Sequence, residues 1–180
     1  MTDSTGSVEP SPDLLTLTPS LRRRMASWLY EGALLFGVLV TAGLAYFILA
    51  YWTSGLGPGD VGQHPLLRSG FQATCFLSLG IYFTWFWARG QTLAMKTWHI
   101  RAVDATGQAL THKRALVRYM ASWLWFLPPL LVTLPLGLPP RQVGWLTLGW
   151  VGIWALLSRL HPQRQFLHDA LAGTRLITHQ

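Results

Sequence analysis

Residues 25–51 form an apolar run in which Glu31 is the only charged side chain. A helix rising 1.5 Å per residue needs about 20 residues to cross roughly 30 Å of bilayer hydrocarbon. Backbone donors and acceptors must be satisfied within the segment in lipid, so a run of this length reads as a transmembrane helix. Three more apolar stretches follow at about 70–88, 119–138 and 143–160. The expected fold is an all-α membrane protein, a four-helix transmembrane bundle. Pro128, Pro129 and Pro135 each remove a helix hydrogen bond, so the third span is expected to be kinked, broken or re-entrant.

Composition supports the same class. The chain is 51% hydrophobic and only 12% charged, with 10 Trp among 180 residues, far from an average soluble domain. A net charge of +7 would suit a nucleic-acid binder only as a basic face on a soluble domain. Here the basic residues lie between the apolar spans, so no nucleic-acid partner is expected. Twelve of the 14 fall before span one, between spans two and three, or after span four, leaving only Arg68 and Arg141 in the other loops. The positive-inside rule then puts both termini in the cytoplasm, and a re-entrant hairpin built from spans three and four would do the same.

Residues 1–20 are rich in Ser, Thr, Pro and acid and read as a disordered cytoplasmic leader, followed by a membrane domain over residues 21–178. Trp28, Tyr51, Trp52, Trp85, Trp87, Trp123 and Trp145 stand near span ends, where amphipathic rings settle at headgroup depth. The single Cys75 lies in an apolar stretch and reads as a small hydrophobe. Between spans two and three, residues 99–104 alternate in strand fashion, 105–107 supply a turn and 108–110 return, predicting a short cytoplasmic β-hairpin. Thr111 then opens an amphipathic helix whose Lys113, Arg114 and Arg118 are expected at the membrane surface, in contact with lipid or a partner.

Three residues carry the functional argument. Glu31 is costly in a membrane unless it is paired, protonated or close to an interface. Arg24 lies seven residues earlier, about 10.5 Å along the axis and on nearly the same helix face. Asp169, after the last span, is expected to accept from Arg24, Arg22 or Arg159 and to fix the chain's end against its beginning. Two readings of Glu31 stand side by side: a packing lock, or a member of a proton- or ion-linked pathway. His168 reads as a surface histidine. HExxH, GxSxG, CxxC and a Gly-rich phosphate loop are all missing, so no enzyme, metal or cofactor is expected.

Three stretches resemble the RDD family of small bacterial integral membrane proteins, named for one Arg and two Asp. They are RRRMASWLYEG (22–32), GQTLAMKTWHIRAVDATGQALTHKRALVRY (90–119) and FLHDALAGTRLI (166–177). Arg24 takes the Arg position and Asp169 the second Asp, while Glu31 stands where the family usually has its first Asp. The resemblance implies a multi-pass protein of the bacterial inner membrane. It also implies an undefined activity for which transport, including sodium/proton antiport, is suggested. Two expectations follow. One is movement of a small cation, proton or solute through a titratable network of Arg24, Glu31 and Asp169, with a homo-oligomer enclosing the path. The other is a scaffold or assembly factor docking a partner or anionic lipid through the cytoplasmic loop.

Overall fold

The computed structural model describes residues 18–133, 135–160 and 165–178. Most of the leader expected over residues 1–20, together with His161 and Arg164, lies outside the described residues. Helix α1 (Leu21–Ser54) has 34 residues. The Ser20 side chain accepts from the Arg23 backbone N–H to start it, and Gly55 ends it in the left-handed region at φ 67°. A short α2 (Pro58–Val61) leads to α3 (Pro65–Ala88), and Thr92 caps α4 (Leu93–Thr97). Strand β1 (Ile100–Asp104) precedes α5 (His112–Ser122), which Thr111 caps as expected. A 3-10 turn (Trp123–Trp125), α6 (Leu127–Thr133), α7 (Pro140–Leu157), α8 (Leu167–Leu171) and β2 (Thr174–Thr178) complete the order.

By length and composition, α1 alone among the described helices suffices to cross a membrane, and His112–Trp125 with Leu127–Thr133 suffices as a pair bent by 40°. Polar and aromatic residues dilute the aliphatic content of α3, and α7 opens on Arg141 and Gln142. The expected span at 119–138 is broken, as its prolines imply, and its bounds shift: the helical run begins at His112, breaks at Phe126, and α6 runs on to Thr133. Proline explains the break. Pro128 has no N–H for the carbonyl of Leu124, four residues back, and that carbonyl instead accepts from the Trp150 indole at 3.2 Å.

The expected hairpin is also corrected. Its turn is present, with the Asp104 side chain accepting from Thr106 and Gln108 and with Gly107 at φ 85°. The return arm makes a single bridge, Val103 to Ala109. The ladder of β1 forms instead with the chain's far end, antiparallel to β2, from Ile100 opposite Thr178 to Asp104 opposite Thr174. Gln165 fastens β2 on its other edge, accepting from Leu176 N–H at 2.9 Å and donating to Leu176 C=O at 3.2 Å. Arg23 anchors the start of α1 to the entry of β1 through the carbonyls of Trp98 and His99.

Helix α3 packs between α1 and α5, and α6 lies against α7. The buried core gathers where α5, the sheet and α8 meet, around Trp87, Ile100, Tyr119, Trp125 and Phe166. Elsewhere α1 turns Phe36, Leu44 and Leu49 outward. The far ends of α1 and α3 meet closely at Gly70, where an added Cβ would strike the Tyr46 ring and its hydroxyl, which donates to Leu67 C=O at 2.8 Å. Gly70→Val should therefore lower the thermal midpoint of the detergent-solubilised protein, by an overpacking cost of about 1–3 kcal/mol. Gly32→Ala, where an added Cβ meets nothing within 4 Å, should leave the midpoint unchanged or raised.

Candidate functional site

The inward stripe of α5 is Ala115, Arg118, Tyr119 and Ser122, a three-and-four spacing that leaves Leu116, Val117 and Met120 exposed. On α1 the matching inward residues are Arg24, Ser27 and Glu31. Both helices are thus patterned inside out, with small and polar groups inward and aliphatic groups outward, as in a lipid-solvated bundle.

Asp169 on α8 is fully buried and is held by Arg118, whose Nε donates to Oδ1 at 2.7 Å. Arg118 was expected at the membrane surface beside Lys113 and Arg114. It is 2% exposed, because its place on the α5 stripe turns it inward. Its guanidinium also lies over the Trp87 ring, 4.3 Å from the centroid. Lys113 is exposed, and Arg114 makes a 3.0 Å ion pair with Asp104 near the surface. Asp104's carboxyl is held below its usual range, chiefly by the hydrogen bond from Thr106.

Arg24 was one of three arginines, with Arg22 and Arg159, expected to donate to Asp169. It is buried and attracted by the charge of Asp169, but its guanidinium stacks on Phe166 at 4.4 Å. Its Nε and Nη1, with Nη1 of Arg118 and Oδ2 of Asp169, have no hydrogen-bond partner among the described residues. Glu31 belongs to a separate cluster. It accepts from the Tyr82 hydroxyl at 2.6 Å and from the hydroxyl of Thr92, which also caps α4. Arg24, Glu31 and Asp169 therefore form two groups, linked by shared surroundings and not by direct bonds.

His168, expected at the surface, is buried and caged. The Trp125 indole donates to Nδ1 at 2.8 Å, so the hydrogen-bond network assigns the ring proton to Nε2, 3.4 Å from Asp169 Oδ1. Burial pushes its pKa down to about 4; Asp169 opposes that shift, and Arg118 and Arg24 add to it. The imidazole is neutral near pH 7.

A cavity of about 430 Å³ lies between α1, α3, α5 and the sheet. Arg24, Glu31, Arg118 and His168 supply its polar wall, and most of the remaining lining is apolar, including Leu35, Leu39, Leu79 and Phe83. No group of three or more His, Cys, Asp or Glu among the described residues is placed to hold a metal ion. Sequence reasoning missed Arg118 as the ion partner, His168 as a buried group, and Tyr82 and Thr92 altogether. The stripe 115, 118, 119, 122 was the signal for Arg118.

An apolar exterior, an inward polar stripe on each of two helices and a charged internal chamber define a small helical membrane protein. The RDD family model matches residues 18–173, and the chain belongs to the RDD family. Comparison with curated proteins and with solved structures gives no match.

Two tests follow from this geometry. Breaking one side of a buried ion pair strands the other charge, so Arg118→Met and Asp169→Leu should each cost about 3–5 kcal/mol, and the double variant should cost clearly less than their sum. Strict additivity of the thermal midpoints would show that the pair does not hold α8. For His168, the unfolded chain takes up a proton near pH 6.5 and the folded one only near pH 4. Its contribution is therefore complete above pH 6.5 and is lost as the pH falls from there to 4. The protein should be roughly 2 kcal/mol less stable at pH 5 than at pH 7 from this group, and His168→Gln should flatten that part of the pH–stability curve.

Proposed function

We propose that this protein is a multi-pass carrier that moves a small ion through the chamber, with Glu31 as its titratable group. In this reading α1, α3, the bent α5–α6 segment and α7 cross the bacterial cytoplasmic membrane, and both termini face the cytoplasm. The skew of basic residues supports that orientation. The observation that carries the proposal is the chamber, which gathers an acid and two guanidiniums on one wall at the end of α1 that the basic residues mark as cytoplasmic.

A carboxylate carrying a structural role alone is usually locked to a cation. Glu31 is instead bonded to two hydroxyls, which can accept as well as donate, so its surroundings can serve both the charged and the protonated acid. Transport by so few helices favours a homo-oligomer, and the exposed aliphatic faces of α1 and α7 offer surface for one. A scaffold reading keeps less support, because burial of Arg118 leaves only Lys113 and Arg114 of its three basic contacts outside.

In proteoliposomes loaded with a pH dye, a sodium or potassium pulse should move protons faster with wild type than with Glu31→Gln. If both match protein-free vesicles for sodium, potassium and protons, transport of these ions is excluded.

A further inference from the structure

We infer that the chamber is a binding site for a single-chain amphiphile with an anionic head, its head on the guanidinium of Arg24 and its chain along Leu35, Leu39, Leu79 and Phe83. This goes beyond the transport proposal, because occupancy is a binding property whether or not ions move.

The head site rests on buried guanidinium donors that have no hydrogen-bond partner among the described residues. Arg24 and Arg118 both line the chamber, and one carboxylate, Asp169, lies beyond them in direct contact with Arg118 only. Arg24 is 4% exposed, with Nε and Nη1 unbonded, and Nη1 of Arg118 is likewise unbonded. Buried donors of this kind carry a desolvation cost of about 1–3 kcal/mol each, more when charged, and an oxyanion between them would remove it. Glu31 is on the same wall, but its oxygens are engaged by Tyr82 and Thr92, which leaves Nε and Nη1 of Arg24 without a hydrogen-bond acceptor among the described residues. His168 is neutral near pH 7 and adds no charge of either sign.

The chain site rests on shape and chemistry. From Arg24 to Leu39 the lining follows α1 for fifteen residues, about 22 Å along the axis, and beyond Glu31 the named lining is apolar. A volume of about 430 Å³ falls within the roughly 300–1,000 Å³ of small-molecule pockets. A small hydrated anion would leave that apolar length unused, and an uncharged chain would leave the guanidiniums unpaired. One ligand class satisfies both ends: a phosphate or carboxylate on a single alkyl or prenyl chain.

The test is equilibrium binding to purified protein in a nonionic detergent, followed through the Trp fluorescence of a chamber that Trp28, Trp87, Trp123 and Trp125 help to line. The probes are dodecyl phosphate, dodecanoate, dodecanol and inorganic phosphate. Saturable binding of at least one charged amphiphile is expected, at least tenfold tighter than dodecanol or inorganic phosphate, with the preferred head group read from the two. Arg24→Gln should weaken it tenfold or more. Leu39→Trp, which fills the chain end and leaves the charges alone, should weaken it independently and keeps the test available if Arg24→Gln does not fold. Equal binding of dodecanol, or no effect of either variant, overturns the inference. Inorganic phosphate binding as tightly as dodecyl phosphate reduces the site to a free-anion site and overturns the chain. Because no flux is measured, failure here leaves the transport proposal standing, and failure of transport leaves this result standing.

Discussion

The ion pair between Arg118 and Asp169 determines where the end of the chain goes. Helix α8 has five residues, too few to persist as an isolated helix. It is held because Asp169 reaches Arg118 across a separation of 51 residues, with both side chains almost completely withdrawn from solvent. Once α8 is docked, its neighbours fall into place. Phe166 comes under Arg24, His168 meets the Trp125 indole, and the chain emerges so that β2 can pair with β1. Losing about 3–5 kcal/mol from a protein whose whole stability is of order 5–15 kcal/mol would release that entire assembly, not one contact.

The pair is tolerated because the molecule is patterned inside out. In water, a stripe of Ala, Arg, Tyr and Ser facing inward on α5 with Leu, Val and Met outward would be a poor bargain. In lipid the outward aliphatic groups cost nothing, and the inward polar groups find one another. The Pro-induced break before α6 follows the same logic: the carbonyl that Pro128 leaves without a donor is served by the Trp150 indole from the neighbouring helix.

How far the site could be read from the sequence depends on the range of each interaction. The seven-residue spacing of Arg24 and Glu31 is local helical geometry, and both do face one chamber. The need of Asp169 for an arginine was chemical, but the choice among arginines was tertiary: Arg118 took the place expected of Arg24, Arg22 or Arg159. Strand β1 and its turn were visible in residues 99–107, whereas its true partner lay some 70 residues away, beyond anything that alternation can indicate. His168 was misplaced for a similar reason, since it is caged by Trp125, 43 residues away, together with the nearby Phe166. Tyr82 and Thr92 became significant only when α3 and the cap of α4 brought them to Glu31.

The two polar clusters, though not bonded to each other, are close enough to interact through the chamber. Arg24 and Glu31 are offset by about 10.5 Å along α1. At that distance a unit charge changes the energy of another by about 1.6 kcal/mol for an effective dielectric near 20, roughly a tenfold effect on an equilibrium constant. For charges separated by that offset, a change of charge on Glu31 would alter, by a similar factor and reciprocally, the affinity of the Arg24 end for the proposed anion. In the proposed cycle, a proton arriving at Glu31 would favour an anion at Arg24, and loss of that proton would favour its release. The extra methylene of a Glu over an Asp extends the carboxylate's reach from α1 toward the hydroxyls of Tyr82 and Thr92. If Glu31 titrates and Arg24 takes an anion, as proposed above, electrostatics alone links the two events, without requiring any helix to move.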